Sequence, residues 1–480
     1  MKVLHISSEC YPAAKAGGMG DVVGALPVYL PAQGIEASVV IPKYKNKWFA
    51  AQSFSTVAKG KFKLSEETIK YTVEQLDNNE LDYPFYCIDI PGKFDRESIY
   101  LAENGHGYPD EPQRNVSFQI AVVEWLKRHK ESFDVLHCHD HMTGLITFFI
   151  KHCPAYKKLK DIPTCLTIHN GQYRGIFDWE IANLFPDYDE KYNGLLDWDG
   201  QINSLATAIK CAWKVATVSP SYMDELLEDF DTLTSLIRHR KAETHGILNG
   251  IDEQLWNPAS DEHLTTHLKD KRWAAFKSTQ KKSLLKRYGL KSKRPLISFI
   301  GRFAHQKGAD LLVASIATLL QQKRPLSIII LGSGDKSIEE EIKNLAAQYP
   351  KEVAAIIAYD EGLARALYAG SDFMIMPSRF EPCGLNQLYA MRYGTIPVVR
   401  AVGGLKDTVP DISDGGNGIA FQDANPTDVS HALNRAIDLY KNKKQFNALR
   451  KKVTTLNYSW HESAKKYSEL YESMIVKLNE

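Results

Sequence analysis

The sequence predicts an α/β protein built from two doubly wound domains, and three observations carry the prediction. Short apolar or β-branched runs alternate with longer stretches of helical spacing in both halves of the chain. The 480 residues exceed what one ordinary core accommodates. Between positions 245 and 295 the composition breaks: HGILNGIDEQLWNPASDEH gives way to a lysine-rich helical stretch, KSTQKKSLLKRYGLKSKRP, before a new apolar run begins.

In the first half the strand-like runs are VLHIS, ASVVIP, DVLHC and TCLTI. In the second they are LISFIG, SIIILG, AAIIAY, FMIMPS and IPVVR. Continuous apolar runs bounded by Gly, Pro, Ser or Asp are what parallel strands covered on both faces require. Helical spacing fills the intervals, as in ADLLVASIATLLQQ and GLNQLYAMRYG. The expected domains are 1–250 and 251–460, with a terminal helix at 461–480 crossing back onto the first. A short internal echo, Gly17-Gly18-Met19-Gly20-Asp21 against Gly403-Gly404-Leu405-Lys406-Asp407, fits two related domains and equally fits repeated turn chemistry. Ligands of open α/β sheets bind outside the carboxyl ends of the strands, so two such domains facing each other would form a cleft between those ends.

Composition removes several function classes. Lys and Arg number 59 against 58 Asp and Glu, a balance that gives no support for a nucleic-acid or membrane-surface partner. No run approaches a membrane-spanning length, and MKVLHISSECYP lacks a signal peptide's apolar stretch and cleavage site. The seven cysteines are scattered and never spaced C-x-x-C, which fits a reduced cytoplasmic protein without a zinc knuckle.

The motifs lie in loops after strands. KAGGMGD, residues 15–21, puts a lysine and three glycines after the first strand. It suits a phosphate, or a plain turn before a helix. RFAHQKGADLL follows LISFIG, so Arg302 and Lys307 occupy a loop leading into a helix; together they would neutralise a pyrophosphate, or form a solvated basic loop. Neither this loop nor LGSGDKS satisfies the Walker pattern. PSRFEPCGLNQLYAMRYG, residues 377–394, places Glu381 and Cys383 in a loop from which a helix opens near Gly384, aiming backbone N–H groups outward. A carboxylate there also serves as a simple cap.

Taken in order, KAGGMGD, HCHDHMTGL, TIHN, LNGID, GRFAHQKG and SRFEPCGL resemble bacterial glycogen synthases and plant starch synthases, and the likeness spans essentially the whole chain. The resemblance implies a retaining glycosyltransferase of GT-B fold, with two Rossmann-like domains facing each other across a cleft. The first would be the acceptor side and the second the nucleotide-sugar side. It also implies roles: Lys15 and Gly18 at the donor's phosphates, Arg302 and Lys307 on the pyrophosphate, and Asp140, His169 and Asn249 around the donor glucose. Tyr359 would stack on the base, and Glu381 would hold the transferring sugar beside backbone amides at Cys383, Gly384 and Leu385. Asp21 would line the acceptor side. The family's usual threonines are Ala16 and Asn386 here, and Arg174 stands where glutamine is usual. Asn386 still falls among the substrate-binding positions.

The implied reaction moves glucose from ADP-glucose to the non-reducing end of an α-1,4-glucan such as glycogen, with retention, no metal and no cofactor. The cleft would close at each turnover. A UDP-glucose donor and a catalytically silent glucan-binding regulatory protein are the rivals. HCHDH suggests a metal through His137, His139 and His141 on one strand face, but nothing nearby completes a ligand set. The triplets DYD at 187, DWD at 197 and DFD at 229 do not read as a strand-end metal pair, since none follows a β-branched strand. Related enzymes acting on sucrose, trehalose or lipid acceptors carry a second glutamate eight residues after the first; here that position is Tyr389. The pyridoxal-phosphate motif of phosphorylases is missing, and DGGNG at 414–418 reads as a turn.

Overall fold

The apolar runs form the strands. The computed structural model describes residues 1–77, 80–102, 106–128 and 132–479. They divide into two compact units, Met1–Gly250 with Trp460–Glu480, and Ile251–Ser459. In the first unit β1 (Lys2–Ile6), β2 (Glu36–Pro42), β3 (Phe54–Leu64), β4 (Glu67–Leu76), β5 (Phe85–Asp89), β6 (Val135–His139) and β7 (Thr164–Ile168) come in that order. β8 (Ile176–Phe177), β9 (Asp197–Trp198) and β10 (Gln201–Asn203) make a small separate sheet, and β11 (Lys214–Thr217) and β12 (Thr244–Gly246) complete the main one.

The main sheet runs β12-β11-β7-β6-β1-β2-β5-β4-β3. Its centre is parallel and buried on both faces, as the runs VLHIS, DVLHC and TCLTI require. The β4 strand is antiparallel to both β3 and β5, which departs from the all-parallel expectation. FSTVAKGKFKL and ETIKYTVEQL interleave lysine and glutamate with their apolar residues, and many of those positions are exposed. A hairpin with one wet face accommodates that pattern; a doubly covered strand does not.

The second unit holds β13 (Leu296–Ile300), β14 (Ser327–Gly332), β15 (Val353–Ile357), β16 (Phe373–Met376), β17 (Ile396–Arg400) and β18 (Ile419–Phe421). All are parallel, in the order β15-β14-β13-β16-β17-β18. Counted within the unit this is 3-2-1-4-5-6, the Rossmann order, which reverses between β13 and β16. In the first unit the order reverses between β1 and β6. These two switch points are where loops splay apart and leave room for a ligand.

Helix Ala309–Gln321 lays Leu312, Ile316 and Leu319 on the second sheet beside Ile297, Phe299 and Ile328. The last helix, Trp460–Asn479, belongs to the first unit. Its Trp460, Ala464, Tyr467, Tyr471 and Met474 recur on one helical face and join a core with Val3, Val135 and Cys165. The glycine echo marks two helix starts, at Gly18–Tyr29 and Gly403–Thr408. All seven cysteines are buried. Among the described residues no helix is long and apolar enough to cross a membrane.

Candidate active site

In the first unit the loops after β1 and β6 stand at the switch point. The K-x-G-G loop is held by a residue that its own motif does not contain. The N–H groups of Ala16 and Gly17 donate to Oε2 of buried Glu9 (2.6 and 2.9 Å), and the Tyr100 hydroxyl donates to Oε1 (2.5 Å). Glu9 is invisible to motif reasoning because a lone acid seven residues upstream of the loop carries no spacing signal. Lys15 Nζ lies 2.7 Å from Asp21 Oδ1, so these two expected site residues form one partly exposed pair. Helix Gly18–Tyr29 begins at Gly17, which is extended and offers no side-chain cap. A Cβ at Gly17 or Gly18 would meet nothing within 4 Å, whereas one at Gly24 would sit 2.4 Å from the Tyr11 carbonyl oxygen. Gly24 is therefore needed for packing, and Gly18 faces open space.

Asp140 directly follows β6 with φ at 56°, a left-handed conformation costly for a residue with a Cβ. Its Oδ1 accepts the backbone N–H of His169 at 2.6 Å and that of Asn170 at 3.4 Å, tying the β6 loop to the β7 loop. Burial pushes its pKa up to about 7, against the lowering effect of those backbone N–H groups. A carboxyl raised in the fold stabilises it fully below its ordinary value near 4, and that contribution is lost as pH rises through about 7. Asp140→Asn keeps an acceptor for His169 without the charge. Its melting temperature should therefore gain on the parent between pH 4.5 and pH 8, measured by thermal unfolding; a gap independent of pH would contradict the shift. Asn249 is also buried, and among the described residues its Oδ1 has no hydrogen-bond partner. A ligand hydroxyl would satisfy it.

The histidines of HCHDH arrange themselves differently from the expected face. Strand β6 stops at His139, and the positive φ of Asp140 turns the chain, so His141 leaves the row and lies 3.8 Å from Glu111. Its place is taken by His5, which the parallel register sets opposite His137. The ligand atoms of His5, His137 and His139 lie within 4.8 Å of one another. Both His137 nitrogens, however, are bonded to hydroxyls, Tyr471 and Thr167, each at 2.7 Å. A metal would have to break these bonds, so this donor set fits an ion poorly. The D-x-D acids are likewise engaged locally: Asp197 with Trp179, Asp189 with Lys191, Asp231 with Arg174.

In the second unit the loops after β13 and β16 meet at the switch point. Lys307 Nζ donates to both Glu381 oxygens at 2.7 Å, and Ser378 Oγ adds a hydrogen bond at 2.9 Å. Exposed Arg302 lies 3.2 Å from the Gln306 side chain. Arg379 N–H donates to the Gln306 carbonyl, and its guanidinium grips Asp310 through two bonds of 2.7 Å, stitching the loops together. Helix Asn386–Arg392 starts two residues later than Gly384, whose φ of 72° makes the turn into it. Asn386 donates to the Ile300 carbonyl at 2.9 Å, so its amide braces the end of β13. Cys383 is buried and Leu385 is the N-cap residue, without a side-chain cap bond. Tyr389 stacks on Trp256 with centroids 3.6 Å apart. Tyr359, 89% exposed, precedes helix Glu361–Gly370 and offers a free ring face.

Each unit thus brings its own expected residues together: Lys15, Gly18 and Asp21 beside one loop, Asp140 and His169 by direct bond, and Arg302, Lys307 and Glu381 in two stitched loops. The fold has known counterparts. The catalytic domain of starch synthase IV from Arabidopsis thaliana, solved bound to ADP and acarbose, superposes with a TM-score of 0.88 at 31% identity, over 99% of both chains. Sucrose-phosphate synthase from Thermosynechococcus elongatus shares the fold at a TM-score of 0.60 and 17% identity, over 99% of both chains. The protein is accordingly a glycosyltransferase of the GT-B fold.

The starch synthase catalytic domain family matches residues 2–239 and glycosyl transferases group 1 matches 280–453. A glycogen synthase of Flavobacterium johnsoniae is 42% identical over 476 residues, 99% of each chain. One from Alkaliphilus metalliredigens is 34% identical over 99% of this chain and 100% of its own. The chain belongs to the family of bacterial glycogen synthases and starch synthases.

Proposed function

We propose that the protein transfers glucose from ADP-glucose to the non-reducing end of an α-1,4-glucan, with retention of configuration and without a metal ion. The observation that carries this reading is the Lys307–Glu381 pair at the second unit's switch point, with Arg302 on the same loop as Lys307. The leaving group is a nucleoside diphosphate, and negative charge grows on its phosphate oxygen as the bond to the anomeric carbon breaks. Fixed cations and amides aimed at that oxygen favour the transition state over the ground state. Arg302 and Lys307 take the pyrophosphate, and Lys15 and Gly18 contact the donor's phosphates. Asp140, His169 and Asn249 bind the donor glucose, Glu381 holds it beside the amides of Cys383, Gly384 and Leu385, and Asp21 serves the acceptor side. The acceptor hydroxyl attacks from the face the diphosphate leaves, and a departing phosphate oxygen takes its proton.

The open face of Tyr359 suits a base but does not by itself choose adenine. Support for ADP comes from the starch synthase IV structure, which holds ADP. The direct test supplies glycogen with labelled ADP-glucose or UDP-glucose in parallel. Faster incorporation from ADP-glucose is expected; preference for UDP-glucose would reassign the donor, and no incorporation from either would favour a silent glucan-binding protein. Gly18→Ala separates ligand contact from folding. Its Cβ meets no protein atom within 4 Å, so Tm should move by no more than about 2 °C. The sugar-nucleotide KM should rise about tenfold, the cost of roughly 1.4 kcal/mol of lost contact. A Tm drop with unchanged KM would assign Gly18 to structure alone.

A further inference from the structure

Three buried histidines form a continuous hydrogen-bonded chain that ends at the donor-sugar residue. His5 Nδ1 lies 3.1 Å from His139 Nε2, and His139 Nδ1 lies 2.9 Å from His169 Nε2. The sheet builds the chain. His5 and His139 come from neighbouring β1 and β6, and His169 directly follows β7. Burial lowers the pKa of His5 and His169 to about 3 and holds that of His139 well below the ordinary imidazole value, so all three rings are neutral. Each neutral ring has one N–H and one lone pair, so the two contacts must share one direction.

The far end chooses that direction. His5 Nε2 is buried with no hydrogen-bond partner among the described residues. An orphaned N–H in the interior is rarer and costlier than an orphaned lone pair, so this nitrogen carries the lone pair. Nδ1–H of His5 then donates to His139, and Nδ1–H of His139 donates to His169 Nε2. That leaves His169 as an Nδ1–H donor, and its Nδ1, unlike His5 Nε2, is not among the fully buried atoms left without a partner. Its backbone is fixed separately by Asp140. His137 stands outside the chain because both its nitrogens are bonded to hydroxyls.

We propose that His5 and His139 are positioning residues that lock His169 in the Nδ1–H tautomer, so that it presents a hydrogen-bond donor to an oxygen of the bound sugar. This rests on the assignment of His169 to the donor glucose; the tautomer itself is measurable without substrate. The experiment uses the full chain labelled with ¹⁵N-histidine, with ring nitrogens read by long-range ¹H–¹⁵N correlation and the signals assigned by single substitution. The expected result is a neutral His169 protonated on Nδ1. That form should be lost in part in His5→Phe, which removes the anchoring donor, and restored in His5→Asn, whose amide nitrogen takes the place of Nδ1. In the transfer assay His5→Phe should lower kcat/KM for the sugar nucleotide about tenfold, the worth of one misdirected hydrogen bond. A His169 protonated on Nε2, or a tautomer indifferent to His5→Phe, overturns the proposal. If the parent protein transfers no glucose, the functional reading fails while the tautomer result still decides the lock.

Discussion

Lys307→Ala is expected to lower kcat/KM for the sugar nucleotide by about 10²–10³-fold, corresponding to roughly 3–4 kcal/mol of barrier. The ammonium of Lys307 has three N–H donors. Glu381 takes two of them at 2.7 Å each, which aims the side chain and leaves the third for the proposed phosphate contact. Lysine is 25% exposed at its side chain and glutamate 8%, so the pair sits where water competes weakly. Truncation also deprives the Glu381 carboxylate of its cation, leaving it the hydrogen bond from Ser378. Stability should fall by about 1–3 kcal/mol for that reason. The two effects separate in initial rates measured well below the variant's own Tm. Lys307→Arg should rescue poorly, because a planar fork cannot satisfy one carboxylate and turn a donor toward a phosphate from the same point. Near-parental kcat/KM in Lys307→Ala would remove Lys307 from the chemistry.

Gly308→Ala is the second large effect, and it acts through the backbone. Gly308 ends the short turn His305–Lys307 with φ at 67° and opens helix Ala309–Gln321. An added Cβ would fall 2.1 Å from the Pro377 carbonyl oxygen, which belongs to the loop carrying Glu381. Left-handed strain alone costs about 1 kcal/mol, and overlap with a backbone oxygen cannot be relieved by rotating a side chain. The expected loss is about 3–5 kcal/mol in equilibrium denaturation, a large part of a typical domain's stability. The remaining folded protein should show weakened sugar-nucleotide binding, because the two loops separate to admit the methyl group. A variant as stable as its parent would mean that these loops are not closely packed.

These effects show which parts of the protein are legible in its sequence. β1, β2, β6, β7 and β13 to β17 are readable because their apolar runs are continuous, whereas the three-residue β18 is too short to show a run. The β3–β4 hairpin is not, since its lysines and glutamates face water and dilute the signal. GRFAHQKG and SRFEPCGL mark the loops of the second unit, but the bond between Lys307 and Glu381 joins residues 74 positions apart, and only the sheet order brings them together. The histidine row shows the limit of period-two reasoning. It holds for His137 and His139 within β6, fails at His141 where Asp140 turns the chain, and cannot supply His5, which arrives through strand register. Glu9 is hidden for a similar reason: its partners are two backbone amides and a tyrosine 91 positions away, which no motif records.

Protein cations, with no divalent ion, are proposed to carry the charge of the departing diphosphate, and the rest of the mechanism depends on them. The most direct measurement is the initial rate of glucose incorporation into glycogen from ADP-glucose after dialysis against EDTA, with the chelator kept in excess and with magnesium or manganese restored in parallel. Equal rates are predicted in all three samples, with collapse of the rate in Lys307→Ala under each condition. Loss of transfer on chelation, with recovery when the metal is returned, would contradict that assignment.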